Sequence, residues 1–389
     1  SQSTTREKLF WDNTIKCETK ELTDGEIKSE NIALPKDFNV PKSILFKTTH
    51  TIAEVWLDGE KIYEYGNEED APSFMKSPGS CWHIVDIPEG SAGKSLEVRI
   101  IPVYDNYYGN EVSIAYGTRG DCILKILTDS FKTLLLSCGI LFASIICLVL
   151  YLGAVRRKRR DKTEVKIEIF LNLGFFSLLI AVWTLAQCGF RQFLIPDGRT
   201  LYFVEYFSFF LFPVPFNFLL YDICKSRYHK GALIFPTLYL VNMAGDVLLQ
   251  CTGIIDIFRM LPVTHVIMAA NAVYIGVLIL YEARKEGNDE AKKFQYPMCA
   301  LIVFGMAEML LYYLRKFQQT SILLPTGTLL FIIMLIWIQV SQYYDQYIRK
   351  QKVIYLQKIA NMDMLTEAMN RNAYEDMVRY LDEGDIKLR

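Results

Sequence analysis

Hydrophobic positions change their period along this chain. From Asn31 to about Tyr116 they come in short alternating runs, from Phe131 to about Tyr344 in long unbroken ones, and afterwards in a mixed pattern. The middle stretch decides the architecture. A helix needs about 20 mostly apolar residues to cross the hydrocarbon core of a bilayer. Seven runs qualify: Phe131–Val155, Ile167–Gly189, Leu201–Ile223, Gly231–Cys251, Met260–Glu282, Tyr296–Leu314 and Ile322–Tyr344. Leu134–Tyr151 is apolar nearly all round, whereas a helix on a soluble core alternates a polar face with an apolar one. The pattern predicts a seven-helix transmembrane bundle over 130–345.

The stretch before it predicts strands at Ser43–His50, Ile52–Leu57, Glu60–Tyr65, Trp82–Ile87, Ser95–Val103 and Glu111–Tyr116. Asp58-Gly59, between two alternating runs, is a two-residue hairpin signal. Pro78-Gly79 and Glu89-Gly90 mark further turns. Short strands at this density predict an extracellular β-sandwich over 1–129. Beyond the last span, Tyr343 to Ile359 contains no Gly or Pro and continues as a helix. Ile348, Tyr355, Ile359 and Met362 form a short seam that would pair two copies of a signalling helix over 346–362.

Basic residues near span ends mark the cytoplasmic side. Arg156 to Arg160 with Lys162 and Lys166, then Lys225, Arg227 and Lys230, then Arg284, Lys285, Lys292 and Lys293 fall on one side. The other side is poorer: Arg191 and Arg199, Arg259, then Arg315 and Lys316. The N-terminus is therefore expected outside and the C-terminus inside. Composition adds a split: residues 1–129 carry 14 Lys and Arg against 22 Asp and Glu, and the remainder 28 against 21. That balance suits a protein facing two compartments and a lipid bilayer, and it excludes the basic stripe of a nucleic-acid binder. Nine cysteines show no metal-ligand spacing, and no zinc site is read. Cys17, Cys81 and Cys122 are an odd set in the outer part, so one disulfide or none is expected. With no signal peptide in the sequence, a removed leader or anchor is expected to have exported the outer part.

Ionisable residues inside a membrane are costly and face the bundle interior. Glu205, Asp246, His265 and Glu308 all fall toward the outer ends of their spans, where they would line an outward-opening cavity or hydrogen-bond between helices. Asn172, Asn217, Asn242 and Asn271 read as interhelical glue. Pro213-Val214-Pro215 predicts a kink. In the outer part, Trp56, Tyr65, Trp82 and His83 are candidates for stacking on a ligand, against the alternative that most aromatics of a small sandwich are core. For His83 a hydrogen-bonded structural role is weighed above metal ligation. Glu68-Glu69-Asp70 reads as a solvated loop rather than a calcium site.

Two stretches carry resemblances. Val55-Trp56-Leu57-Asp58-Gly59, with Trp82 to Pro88 and Gly93-Lys94-Ser95-Leu96-Glu97-Val98, resembles the jelly-roll domains of the galactose-binding type. That resemblance implies a fold that binds a small molecule, a glycan or a protein, or that only provides structure. Asp363-Met364-Leu365-Thr366-Glu367-Ala368-Met369-Asn370-Arg371 resembles the opening motif of GGDEF domains, D-x-L-T-G-L-x-N-R. Asp363, Leu365, Thr366, Asn370 and Arg371 match, while Glu367 and Ala368 stand where Gly and Leu are usual. The order as a whole resembles the bacterial seven-transmembrane receptors with diverse intracellular signalling modules.

The resemblance implies a homodimeric receptor in the bacterial cell membrane that senses an extracellular small molecule or glycan. Its output would be a diguanylate cyclase, making cyclic di-GMP from GTP with magnesium. Residues 363–389 would be only the start of that domain, so no residue here is assigned to catalysis and no cofactor to this stretch. Alternatives are a degenerate output domain acting by binding, and a sensor for a histidine kinase. Against the kinase, none of His50, His83, His229 and His265 follows residue 340. A transporter would call for internal repeats and broken helices, of which only the Pro213/Pro215 kink gives a hint.

Overall fold

The structure, a computed structural model, describes residues 4–10, 13–22, 27–34, 42–67, 72–104, 114–161, 168–314, 321–361 and 370–386. Glu68-Glu69-Asp70, the start of the strand expected from Glu111, Lys162, Lys166, Arg315, Lys316 and the motif residues Asp363, Leu365 and Thr366 lie outside the described residues. The chain divides into two units, Ser1–Ile332 and Ile333–Arg389.

The first unit begins with an antiparallel sheet domain. Its strands are β1 Thr4–Phe10, β2 Asn13–Leu22, β3 Ile27–Ala33, β4 Lys42–Thr49, β5 Thr51–Leu57, β6 Glu60–Tyr65, β7 Ser80–Ile87, β8 Ser95–Pro102 and β9 Ala115–Gly117. They form a six-stranded sheet, β1-β2-β3-β8-β5-β6, and a three-stranded sheet, β7-β4-β9. The two sheets share one core, with Ile44, Phe46, Val85 and Ile87 from the smaller meeting Val55, Leu57, Val98 and Ile100 from the larger. The expected hairpin is present: Leu57 pairs with Glu60, and Asp58 and Gly59 have φ of 46° and 88°, the left-handed pair that a two-residue turn requires. Three strands, β1 to β3, precede the region where the sequence pattern predicts any. In β2 the alternation of Ile15 and Cys17 gives way to Thr19 and Glu21, which leaves too little period to read.

Strand β4 positions the site. Successive side chains of a strand point to opposite faces. Ile44 and Phe46 therefore enter the sheet core, and Leu45 points the other way, against Cys122 and Ile126. Those two belong to the first membrane helix, so β4 is covered on both faces.

Seven helical segments are long and apolar enough to cross a membrane. They comprise α1 Arg119–Asp161, α2 Glu168–Gln187, α3 Gly198–Leu211 with α4 Pro213–Ile223 as one span, α5 Ile234–Cys251, α6 Ile257–Arg284, α7 Asp289–Leu314 and α8 Leu323–Asn361. Phe142, Val149, Val266, Val273 and Val303 stand outward and exposed, while Ser144, Ser177, Thr184 and Thr264 are buried. Apolar groups outside and satisfied polar groups inside is the arrangement a bilayer demands, and it makes this a multi-pass membrane protein.

The expected break falls at Phe212, between α3 and α4, because Pro213 and Pro215 offer no N–H to the preceding turn. Asn217 spends its amide there, donating to the carbonyl of Pro213 at 2.8 Å. It therefore satisfies its own helix rather than bridging two, a correction to the expectation. The other three asparagines do bridge. Asn172 donates to Asp222 at 2.8 Å, Asn242 to Thr264 at 2.9 Å and Asn271 to Tyr239 at 3.3 Å.

The sheet domain seats on one end of the bundle through backbone contacts at glycine. Gly79 lies against the backbone of Gly198 and Gly253 against that of Ser73. Gln192 accepts from the backbone N–H of Trp82 at 3.0 Å, Gln250 donates to the carbonyl of Phe74, and Tyr104 donates to Asp256. The buried ring of His50 packs between Tyr202 and Phe258, with centroids 5.6 and 4.9 Å away.

In the second unit α8 runs on to Asn361, and α9 spans Arg371–Ile386. Asn370 accepts from the backbone N–H of Ala373 at 3.0 Å, capping α9, and Arg371 pairs with Glu375 at 2.8 Å. The two described residues of the terminal motif thus start a helix.

Candidate ligand cavity

A cavity of about 220 Å³ opens where the three-stranded sheet meets the bundle. Its roof is Lys47, Thr49 and His50 from the end of β4 together with Ser80 from β7, and every span except the first contributes to its walls. The roof follows from β4. Leu45, Lys47 and Thr49 share the bundle-facing side of the strand, and Lys47 is the cation on that side.

A second cation meets it from below. Cys188 follows α2, and the 3-10 turn Gly189–Phe193 carries Arg191 back under the sheet. Arg191 is 8% exposed and donates from Nη2 to the carbonyl of Ser80 at 2.9 Å. Its Nη1 is buried with no hydrogen-bond partner among the described residues, 4.0 Å from Oε2 of Glu205. Burial lowers the pKa of the Lys47 ammonium, and the Arg191 charge adds to the effect while Glu205 opposes it.

Glu205 continues a polar chain. Its Oε1 accepts from Gln187 at 3.1 Å, and Oε1 of Gln187 accepts from the backbone N–H of Ser321 at 2.9 Å. Ser321 leads directly into α8. Ser80, Arg191, Glu205, Gln187 and Ser321 therefore connect strand β7, by way of α3 and α2, to the start of the last span. Below this belt the wall is aromatic. Trp183 lies 5.3 Å from Phe209 and 6.3 Å from Phe212 between centroids, and Phe176 lies 4.9 Å from Phe216. The result is a polar rim with two cations and one carboxylate over an apolar shaft, the usual composition of a small-molecule site.

Of the four intramembrane residues picked out in the sequence, the structure brings three to this cavity. Glu205 forms the polar rim. His265 lines the wall, with Nδ1 2.8 Å from the hydroxyl of Tyr313 and its ring edge-on to Phe209. Glu308 also lines it, but its Oε2 accepts from the backbone N–H groups of Ile322, Leu323 and Leu324 at 3.1, 2.6 and 3.1 Å, capping α8. Asp246 is buried elsewhere, accepting from Asn242 at 2.9 Å.

The four aromatic candidates of the sheet domain do not share one surface. Trp56 is stacked against Arg99 and Lys61, 4.5 and 5.3 Å from its ring, on the six-stranded sheet. Tyr65 donates to the carbonyl of Pro78 at 2.7 Å. His83 is buried, 2.6 Å from the Thr48 hydroxyl and 2.9 Å from that of Tyr63, and burial pushes its pKa down to about 3. Trp82 alone reaches the cavity's neighbourhood, with Lys47 Nζ 6.0 Å from its ring and its indole against Gly189. Cys81 and Cys122 are free thiols.

Lys47, Arg191 and Gln187 carry the rim and were not legible as site residues. The one signal was a lysine directly after the apolar run Ile44-Leu45-Phe46, inside an expected strand. Compared with family models, curated proteins and solved structures, the chain matches none.

Proposed function

We propose that the chain is the sensing part of a transmembrane receptor that binds a small molecule in the cavity beneath the sheet domain. The observation that carries this reading is the shared wall. One cavity is lined by the sheet domain and by six of the seven spans, so an occupant bears on their packing at once. The polar chain from Ser80 to Ser321 ends at the start of α8, a single helix over Leu323–Asn361. A ligand that favours one arrangement of the rim would bias where α8 begins, and a helix transmits such a bias along its length.

The output follows from the resemblance of residues 363–371 to the start of a GGDEF domain. The sheet domain, read as a jelly roll, faces outside. The C-terminal segment is cytoplasmic, two copies pair along α8, and the bacterial cell membrane is the site. Magnesium and GTP belong to the cyclase domain that would follow, which makes cyclic di-GMP.

The test uses the whole open reading frame, reconstituted in nanodiscs with GTP and magnesium and assayed for cyclic di-GMP. Product whose rate changes with occupancy of the cavity is the expected result. Absence of product under every occupant, from a chain whose GGDEF turn is intact, overturns the cyclase output.

A further inference from the structure

We infer that the cavity selects a small amphiphilic anion, its charged head held between Lys47 and Arg191 and its apolar body in the shaft lined by Trp183, Phe209 and Phe212. This inference rests on reading the cavity as the ligand site. It begins with an imbalance of charge. At the rim the buried Arg191 and the half-buried Lys47 face one carboxylate, Glu205, while the other carboxylate of the wall, Glu308, is spent on three backbone N–H groups at the start of α8. Glu205 is already engaged by Gln187 on one oxygen and sits 4.0 Å from Arg191 on the other. Buried charges are ordinarily paired, and an Arg side chain with a buried donor left over is uncommon. Nη1 of Arg191 is such a donor. A monovalent anion at the rim would supply its missing acceptor and balance the second cation. Chloride or phosphate would satisfy the rim alone, but the stretch of wall built by Phe176, Trp183, Phe209, Phe212 and Phe216 is apolar and aromatic, and it offers its gain only to a ligand with an apolar body.

A free carboxylate and an anionic lipid share this chemistry, and the probes separate them. The reconstituted chain in zwitterionic-lipid nanodiscs is titrated with octanoate, octanol, octylamine, acetate and chloride. Binding is read by tryptophan fluorescence and by the shift in unfolding temperature. Octanoate should bind saturably, and octanol and acetate each at least about tenfold more weakly, since each lacks one half of the recognition. K47M should weaken octanoate by a similar factor while raising the unfolding temperature of the empty protein, because an apolar side chain of similar length removes a half-buried charge that the neighbouring Arg191 charge opposes. K47R should retain binding. Discs containing phosphatidylglycerol that shift the unfolding temperature themselves, and block octanoate, would assign the anion to the lipid.

Octanol binding as tightly as octanoate, with K47M without effect, overturns the anionic class and leaves a ligand cavity intact. Octylamine binding preferentially, or chloride alone giving the full shift, overturns it as well. No probe binding to a folded wild-type chain overturns it too, and the cyclase assay then judges the receptor reading separately.

Discussion

Gly79 of the sheet domain and Gly198 at the start of α3 meet backbone to backbone, so that a methyl group on Gly79 would run into the carbonyl of Gly198. The close approach fixes the roof of the cavity on its walls. Gly79 also has a φ of 85°, which a side chain rarely adopts. G79A should therefore destabilise the chain through both strain and lost docking. Gly90 separates the two, since its φ is 80° and nothing lies near its missing Cβ. We expect G90A to cost about 1 kcal/mol and G79A about 2 kcal/mol more. Thermal unfolding of both variants in the same detergent checks this, and equal costs would mean that the roof is not held there.

Glu308 is expected to matter more for the fold than its place in the cavity wall suggests. One carboxylate oxygen accepts three backbone N–H groups at the first turn of α8, where the helix dipole adds to the interaction. Removing it would leave orphan donors in a buried place. E308A should cost about 3 kcal/mol and E308Q less than half of that, read as unfolding temperature. D246N should change it little, because Asp246 accepts a single described hydrogen bond from Asn242 and caps no helix.

The contrast between these two carboxylates shows what could be read in advance. Span positions, the Asp58-Gly59 hairpin and the Pro213/Pro215 break follow from local pattern, since hydrophobic run length and turn chemistry act over a few residues. The depth of Glu205, His265 and Glu308 was legible from topology for the same reason. Their partners were not. Glu308 caps a helix 14 to 16 residues later in the chain, and Arg191 reaches Ser80, 111 residues away. Lys47 becomes a site residue only because β4 is covered on its second face by α1 and the bundle. The side chain pattern of a strand records that two faces differ, not what lies against each of them. Strands β1 to β3 carry no strand signal in the sequence because their residues lack the alternation that a buried face imposes.

The sheet domain should lose stability in mild acid. His50 and His83 are buried, and burial holds both pKa values at about 3, below the ordinary 6.5. Each is neutral in the folded chain and takes up a proton in the unfolded chain below pH 6.5. Stability is therefore fully present above that value and declines as the pH falls toward 3, at about 1.4 kcal/mol per pH unit for each histidine. H83Q keeps a polar side chain facing Thr48 and Tyr63 but does not titrate. Its unfolding free energy should fall less steeply between pH 6 and 4, by about that amount per unit. An unchanged slope would show that His83 is already protonated in the fold or that acid acts elsewhere.

Filling the cavity should separate stability from response. Gly305 lies in the cavity wall on α7, and a Cβ there would meet only Leu324 Cδ1, at 3.6 Å, an ordinary contact. Its missing side chain leaves part of the shaft open, and glycine inside a helix is itself costly by about 1 kcal/mol relative to alanine. G305A should therefore be slightly more stable and still bind octanoate. G305L should keep or gain stability, because the added methylenes enter existing space rather than a packed core. It should also lose octanoate binding and, in the full reading frame, any dependence of cyclic di-GMP production on the ligand. The pair of variants carries the argument: a loss of response in G305L with its unfolding temperature maintained assigns the effect to occupied volume. A G305L chain that still responds would place the ligand outside this cavity.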